Sequence, residues 1–230
     1  KIILEDRMRG RIEFPENDMD VVIIKSTDGL PTYHFAHAID DHLMQTTTVM
    51  RGEEWIPSYP IHHDLFKTLG FTEPKYAHLG LVLKIDEDGT RRKLSKRKDP
   101  EASVSFYHEK GIPQEATKLY LTTIANSDFE EWLNNHPKSK LDEFKLSFDK
   151  MSASGSLFDV NKLFNISKNY ISNMTSEELY DLSLAWMKEY DLELYELMIK
   201  YEKYTKDILS IERYQEKPRK DYSAYSDIRN

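Results

Sequence analysis

Between residues 20 and 90, short apolar or β-branched runs alternate with segments of helical periodicity, and this alternation restricts the fold more than any other feature. Residues 20–26, Asp-Val-Val-Ile-Ile-Lys-Ser, end at the turn signal Asp28-Gly29-Leu30-Pro31 and predict a buried strand followed by a tight turn. Residues 33–44 place Phe35, Ala38, Ile39 and Leu43 on one helical face. Residues 46–51 alternate as a strand does, 60–69 read as a helix stopped by Gly70, and 79–85 form another apolar strand closed by Asp86-Glu87-Asp88-Gly89. The connections are too long for plain hairpins, so strand, helix, strand, helix, strand predicts an α/β layer.

Beyond about residue 100 helix signals take over. Residues 101–110 read as a helix capped by Gly111, and Pro113 opens another that runs to about residue 125. Residues 137–173 mix short apolar groups with Ser, Asn and Lys around the loop-like stretch 152–156, as a small helical module with loops would. Thr175 and Glu178 form a capping box ahead of a helix with Leu179, Leu182 and Trp186 on one face, and Leu194, Leu197, Met198, Tyr201, Ile208 and Ile211 continue the helical pattern.

No run of about 18 apolar residues offers a membrane-spanning helix, and residues 1–30 lack a secretory signal pattern, so a cytoplasmic location is expected. With no cysteine there is no disulfide framework and no thiolate zinc site, which leaves hard ions such as Mg²⁺ as the metals to expect. The net charge of -8 argues against a surface that coats nucleic acid throughout, while local basic patches remain able to bind it.

The densest basic cluster is Arg91-Arg92-Lys93-Leu94-Ser95-Lys96-Arg97-Lys98. Its charge alone describes a solvated loop or a general polyanion patch. Lys93-Leu94-Ser95-Lys96-Arg97, however, resembles the KMSKS-type signature of class I aminoacyl-tRNA synthetases, in the Arg-ending variant found among glutamyl and glutaminyl enzymes. Residues 28–44, Asp-Gly-Leu-Pro-Thr-Tyr-His-Phe-Ala-His-Ala-Ile-Asp-Asp-His-Leu-Met, resemble the glutamyl-tRNA synthetase stretch Asp-Gly-x-Pro-Thr-Tyr-x-Phe/Leu-Ala-x-x-x-Asp-Asp-His-x-Met. Without that likeness they read as an amphipathic helix with three histidines, or as a metal site of His34, His37, Asp41 and His42, although a helix turns His42 away from His37.

Val49-Met50-Arg51-Gly52-Glu53-Glu54-Trp55 is similar to the family's Val-Ile-Arg-x-acid-acid segment. Ala77-His78-Leu79-Gly80-Leu81-Val82-Leu83 resembles the strand before the lysine loop, with Gly80 where Pro is usual. Phe106-Tyr107, Gly111, Ser154-Gly155-Ser156-Leu157-Phe158-Asp159 and Lys162-Leu163 fit the family's stem-contact module. The likeness, in family order, covers about residues 5–170.

It implies the α/β half of a Rossmann-type nucleotide-binding domain followed by a mainly α-helical region. Residues 1–25 would end an acceptor-stem insertion and 26–90 would be the second half of the catalytic domain. Residues 91–172 would hold the KMSKS-type loop and stem-contact module, and 173–230 would start a helical anticodon-side domain. The implied reaction joins glutamate to ATP as glutamyl-adenylate and transfers glutamate to tRNA(Glu). ATP is then a substrate brought with Mg²⁺, no metal ligands are expected from the chain, and a monomer is expected. Lys93, Ser95 and Lys96 would be catalytic, Lys96 foremost. Tyr33, His37 and Arg51 would bind glutamate, with His37 standing where Asn is frequent. Glu54, Trp55 and Val82 would lie near the adenosine, and Lys93, Lys96 and Arg97 near the phosphates. Loop 91–98 is expected to be poorly ordered until phosphate anchors it.

The family's His-Ile-Gly-His-like signature does not occur in these residues, so the chain reads as an internal piece that is inactive alone. A glutaminyl or non-discriminating synthetase is the first rival reading, disfavoured by the cation at Arg51. A non-catalytic tRNA-interaction module is the second.

Overall fold

The computed structural model describes residues 1–16 and 20–229. Part of the 1–25 assignment, residues 17–19, therefore lies outside the described residues, as does Asn230. The chain folds as two compact units, residues 1–81 with 146–156 and residues 82–145 with 157–230.

The first unit is built on a mixed sheet of β1 (Ile2–Asp6), β2 (Gly10–Phe14), β3 (Thr48–Gly52) and β4 (Lys75–Leu79), in the order β2-β1-β4-β3. β1 and β2 form an antiparallel hairpin, whereas β4 runs parallel to both β1 and β3. Parallel neighbours need a crossover. Between β3 and β4 it is supplied by a 3₁₀ turn (Glu53–Ser58) and α2 (Tyr59–Leu69), after α1 (Tyr33–Leu43). α2 stops at Gly70, whose φ of 70° is left-handed and whose N–H turns back onto the Phe66 and Lys67 carbonyls. Leu4, Phe14, Tyr59 and Tyr76 form the buried core of this unit, with the Tyr59 and Tyr76 rings 4.4 Å apart.

Two sequence expectations change here. Residues 20–26 are not a buried strand: Val22, Ile23 and Ile24 are exposed, and the segment makes only an isolated bridge from Ile24 to Pro31. Their β-branched composition favours extended backbone, but burial requires a neighbouring strand, and none of the described strands pairs with them. Residues 79–85 are not one strand, because the chain leaves β4 at Leu79 and begins β5 at Val82. The break falls at Gly80, where a Cβ would run into the backbone of Ser154 and Gly155. Residues 2–14 supply two strands to the same sheet as Arg51.

In the second unit β5 (Val82–Ile85) pairs antiparallel with β6 (Arg91–Lys93) across a turn in which Gly89 has φ 83°. The basic cluster thus begins as a strand. The rest is helical: α3 (Val104–Glu109), α4 (Gln114–Ala125), α5 (Phe129–Asn135), α6 (Val160–Ser172), α7 (Ser176–Tyr190), α8 (Leu192–Lys200) and α9 (Glu202–Ser210). The helix expected from residue 101 starts at Val104, because Pro100–Ala102 form a 3₁₀ turn first. Asp159 caps α6 through the Asn161 and Lys162 N–H groups, and the Thr175–Glu178 capping box opens α7 as read from sequence.

The core around α7 contains Ile171, Leu179, Met187, Met198 and Leu209. Leu182 is exposed instead, because α8 and α9 pack on the face carrying Leu179, Ser183 and Met187. Leu197, Tyr201, Ile208 and Ile211 are likewise exposed, with Met198 and Leu209 turned inward. Buried Arg213 donates to the carbonyls of Leu209 and Ile171, both at 2.7 Å, and of Met174 at 3.2 Å, satisfying main-chain acceptors at the ends of α9 and α6.

Candidate active site

The parallel register of β3 and β4 sets Arg51 beside His78. The Arg51 Nε–H donates to His78 Nε2 at 2.9 Å, Nη1 to His62 Nδ1 at 2.8 Å, and Nη2 to the Trp55 carbonyl at 3.4 Å. The guanidinium lies 4.8 Å from the centre of the Tyr76 ring, a cation–π contact. Every one of these partners is neutral. Among the described residues no carboxylate makes an ion pair with Arg51.

The network selects the imidazole tautomers. His78 accepts from Arg51 through Nε2, so its Nδ1 carries the proton and donates to Asp6 Oδ2 at 2.6 Å. His62 accepts through Nδ1, so its Nε2–H donates to His34 Nδ1 at 2.9 Å. His37 sits one turn beyond Tyr33, with Nδ1 2.8 Å from Asp41 Oδ2 and Nε2 2.9 Å from the Tyr76 hydroxyl. His42 leaves this group and stacks on Phe71, as the helical spacing indicated.

Burial, together with the neighbouring His37, Arg51 and His34, pushes His62 down to about 2, so it is a neutral acceptor at physiological pH. Burial also lowers His37, against the opposing pull of Asp41. Burial works to raise Asp6, but the hydrogen bonds from His78 and from the Met8 and Arg9 amides outweigh it and leave Asp6 low and ionised. Arg51 is lowered by burial yet remains a cation. The result is a half-buried guanidinium linked to the Asp6 carboxylate through the His78 imidazole.

Tyr33, His37, Arg51 and Trp55 thus converge, with the Tyr33 and Trp55 rings 4.6 Å apart. Glu54 lies on the exposed side of the 3₁₀ turn, where Gly52 leaves room for its carboxylate. Glu53 is tied to Arg9, whose guanidinium also reaches the His78 and Ala153 carbonyls.

In the second unit, Val82, Lys93, Ser95, Lys96 and Arg97 line a groove of ≈ 650 Å³ with Leu94 and Ala102. The anchor that phosphate was expected to supply is partly internal. Asp99, 1% exposed, receives Arg92 on both oxygens at 2.6 and 2.8 Å, the Ser95 N–H at 2.8 Å and Lys84 at 3.2 Å. The Arg92 pair, ahead of the other bonds, holds the Asp99 carboxyl well below the usual carboxylate range. Lys93, Lys96 and Arg97 stay exposed around this brace.

Sequence reasoning gave no role to Asp6, His62, His78, Tyr76 or Asp99. His78 stood within a quoted motif, but its partner Arg51 is 27 residues away and Asp6 is 72 away. Asp99 alone had a local signal, an acid directly after a basic run.

A family profile described as "tRNA synthetases class I (E and Q), catalytic domain" matches residues 1–165. The chain belongs to this family. The glutamate–tRNA ligase of Clostridium perfringens (strain 13 / Type A) is 50% identical over 229 residues, covering 100% of this chain and 42% of that protein. That of Clostridium beijerinckii is 48% identical over 230 residues, covering 100% and 41%. A crystal structure of a glutamate tRNA ligase from Elizabethkingia meningosepticum, in complex with its amino acid, matches with a TM-score of 0.76 at 28% identity, covering 99% of this chain and 45% of that one. The chain therefore spans 41–42% of the length of these curated relatives. The α/β layer followed by helices is the fold class expected from sequence.

Proposed function

We propose that this chain supplies the glutamate-selecting pocket and the phosphate loop of a glutamate–tRNA ligase, which activates glutamate with Mg²⁺-bound ATP and transfers it to tRNA(Glu). The observation that carries this reading is the half-buried Arg51, held by neutral partners so that its charge is left for an anion. A guanidinium offers a carboxylate two parallel N–H bonds, which an amide cannot match with charge, so glutamate is favoured over glutamine.

In this reading Tyr33 and Trp55 wall the pocket, and His37, fixed by Asp41 and Tyr76, shapes it where other members often carry Asn. The substrate α-carboxylate attacks the α-phosphorus of ATP and pyrophosphate leaves. Lys93, Lys96 and Arg97 neutralise the phosphate charge, with Lys96 acting on the charge that builds as pyrophosphate departs. Ser95 adds a hydroxyl hydrogen bond or shapes the loop. Glu54, Trp55 and Val82 are the residues assigned to contacts with the adenosine. The setting proposed is a monomeric cytoplasmic enzyme; among the described residues no helix is long and apolar enough to cross a membrane.

Arg51→Gln tests the reading in the protein as its gene encodes it. Loss of a charge-assisted pair at a partly desolvated site costs on the order of 2–4 kcal/mol, a roughly thirtyfold to thousandfold fall in kcat/KM for glutamate. An unchanged kcat/KM for glutamate in tRNA aminoacylation would overturn it.

A further inference from the structure

Arg51 needs to be held still without being neutralised. A carboxylate in the position of His62 would hold it but would consume its charge. An apolar side chain there would leave the Nη1–H without an acceptor and the guanidinium free to swing. His62 avoids both outcomes. Its side chain is fully buried, so water does not replace it, and its Nε2 proton is committed to His34, which leaves only the Nδ1 lone pair facing Arg51. His37, with ring centres 4.3 Å apart, and Tyr33 close the remaining space around the imidazole.

We propose that His62 is a positioning residue for substrate selection, its Nδ1 fixing the Arg51 guanidinium while leaving the positive charge available to the substrate carboxylate. The inference rests on the reading that Arg51 binds that carboxylate. His62 acts only through Arg51, so its loss raises the KM for glutamate and leaves the KM for ATP alone.

The test compares His62→Leu, His62→Asn and His62→Gln with Arg51→Gln, in tRNA aminoacylation by the protein as its gene encodes it. The Asn amide oxygen reaches about the place of imidazole Nδ1, and the longer Gln side chain reaches about the place of Nε2. His62→Leu should raise the glutamate KM about thirtyfold, His62→Asn should restore it to within about threefold, and His62→Gln should not restore it. If the Leu variant does not fold, the Asn and Gln pair decides. Equal glutamate KM values for Asn and Gln overturn the inference. If Arg51→Gln raises the glutamate KM while no His62 variant does, the positioning role falls and the pocket stands. If Arg51→Gln also leaves it unchanged, the pocket reading falls as well.

Discussion

Gly80 lies so close to Ser154 that a Cβ on its Cα would come within 2.8 Å of the Ser154 carbonyl oxygen. The three nearest atoms, Ser154 C and O and Gly155 N, are all backbone, so none can swing aside as a side chain could. Gly80→Ala should therefore destabilise the first unit by about 1–3 kcal/mol, read as a lower denaturant midpoint at unchanged m-value. The Pro usual at this position in the family meets the same obstacle here, and Gly80→Pro should not be tolerated better than Ala. A Gly80→Ala midpoint equal to that of the parent would show that the 152–155 segment moves freely.

Asp99 braces the lysine loop through Arg92, Lys84 and the Ser95 amide. Asp99→Asn removes the charge from these bonds while keeping the side-chain shape. Amide exchange at Ser95, Lys98 and Asp99 should accelerate by about tenfold or more, because a charge-assisted anchor worth at least about 1.4 kcal/mol is lost locally. Unaltered protection at these three amides would mean that the turn holds itself.

Lys96 is exposed, and its proposed partner is charge that develops only as pyrophosphate leaves. Interactions made only in the transition state affect rate more than substrate affinity. Lys96→Ala should lower the single-turnover rate of glutamyl-adenylate formation by about a hundredfold, with little change in the glutamate KM. The reverse pattern, a weakened glutamate KM at a normal rate, would reassign the loop.

Acid should weaken the first unit through His62. Above about pH 6.5 the imidazole is neutral in both folded and unfolded chains, and its contribution is level. As pH falls below that value the unfolded chain takes up a proton that folded His62, held down to about 2, refuses. The unfolded state then binds more protons, and stability falls by up to about 1.4 kcal/mol per pH unit from this group. His37, also lowered, adds to the same direction. Denaturant midpoints should decline from pH 7.5 to 5, and less steeply in His62→Asn; parallel slopes would show that His62 titrates normally when folded.

Local chemistry along the chain determined α1 and α2, the Gly70 stop and the Thr175–Glu178 capping box, because helix ends and turns are closed by groups three or four residues apart. It was the resemblance to synthetase motifs, and not local chemistry, that singled out Tyr33, Arg51 and the lysine loop. Local reading could not see that residues 20–26 lack a strand partner or that Leu182 faces solvent, since burial depends on elements distant in sequence. Nor could it show why Arg51 keeps its charge. That follows from the β3–β4 register, which brings His78 beside it, from α2, which carries His62 back over it, and from β1, which places Asp6 one imidazole away. A buried cation takes its character from whichever groups replace its water, and only the tertiary structure selects neutral nitrogens for that role.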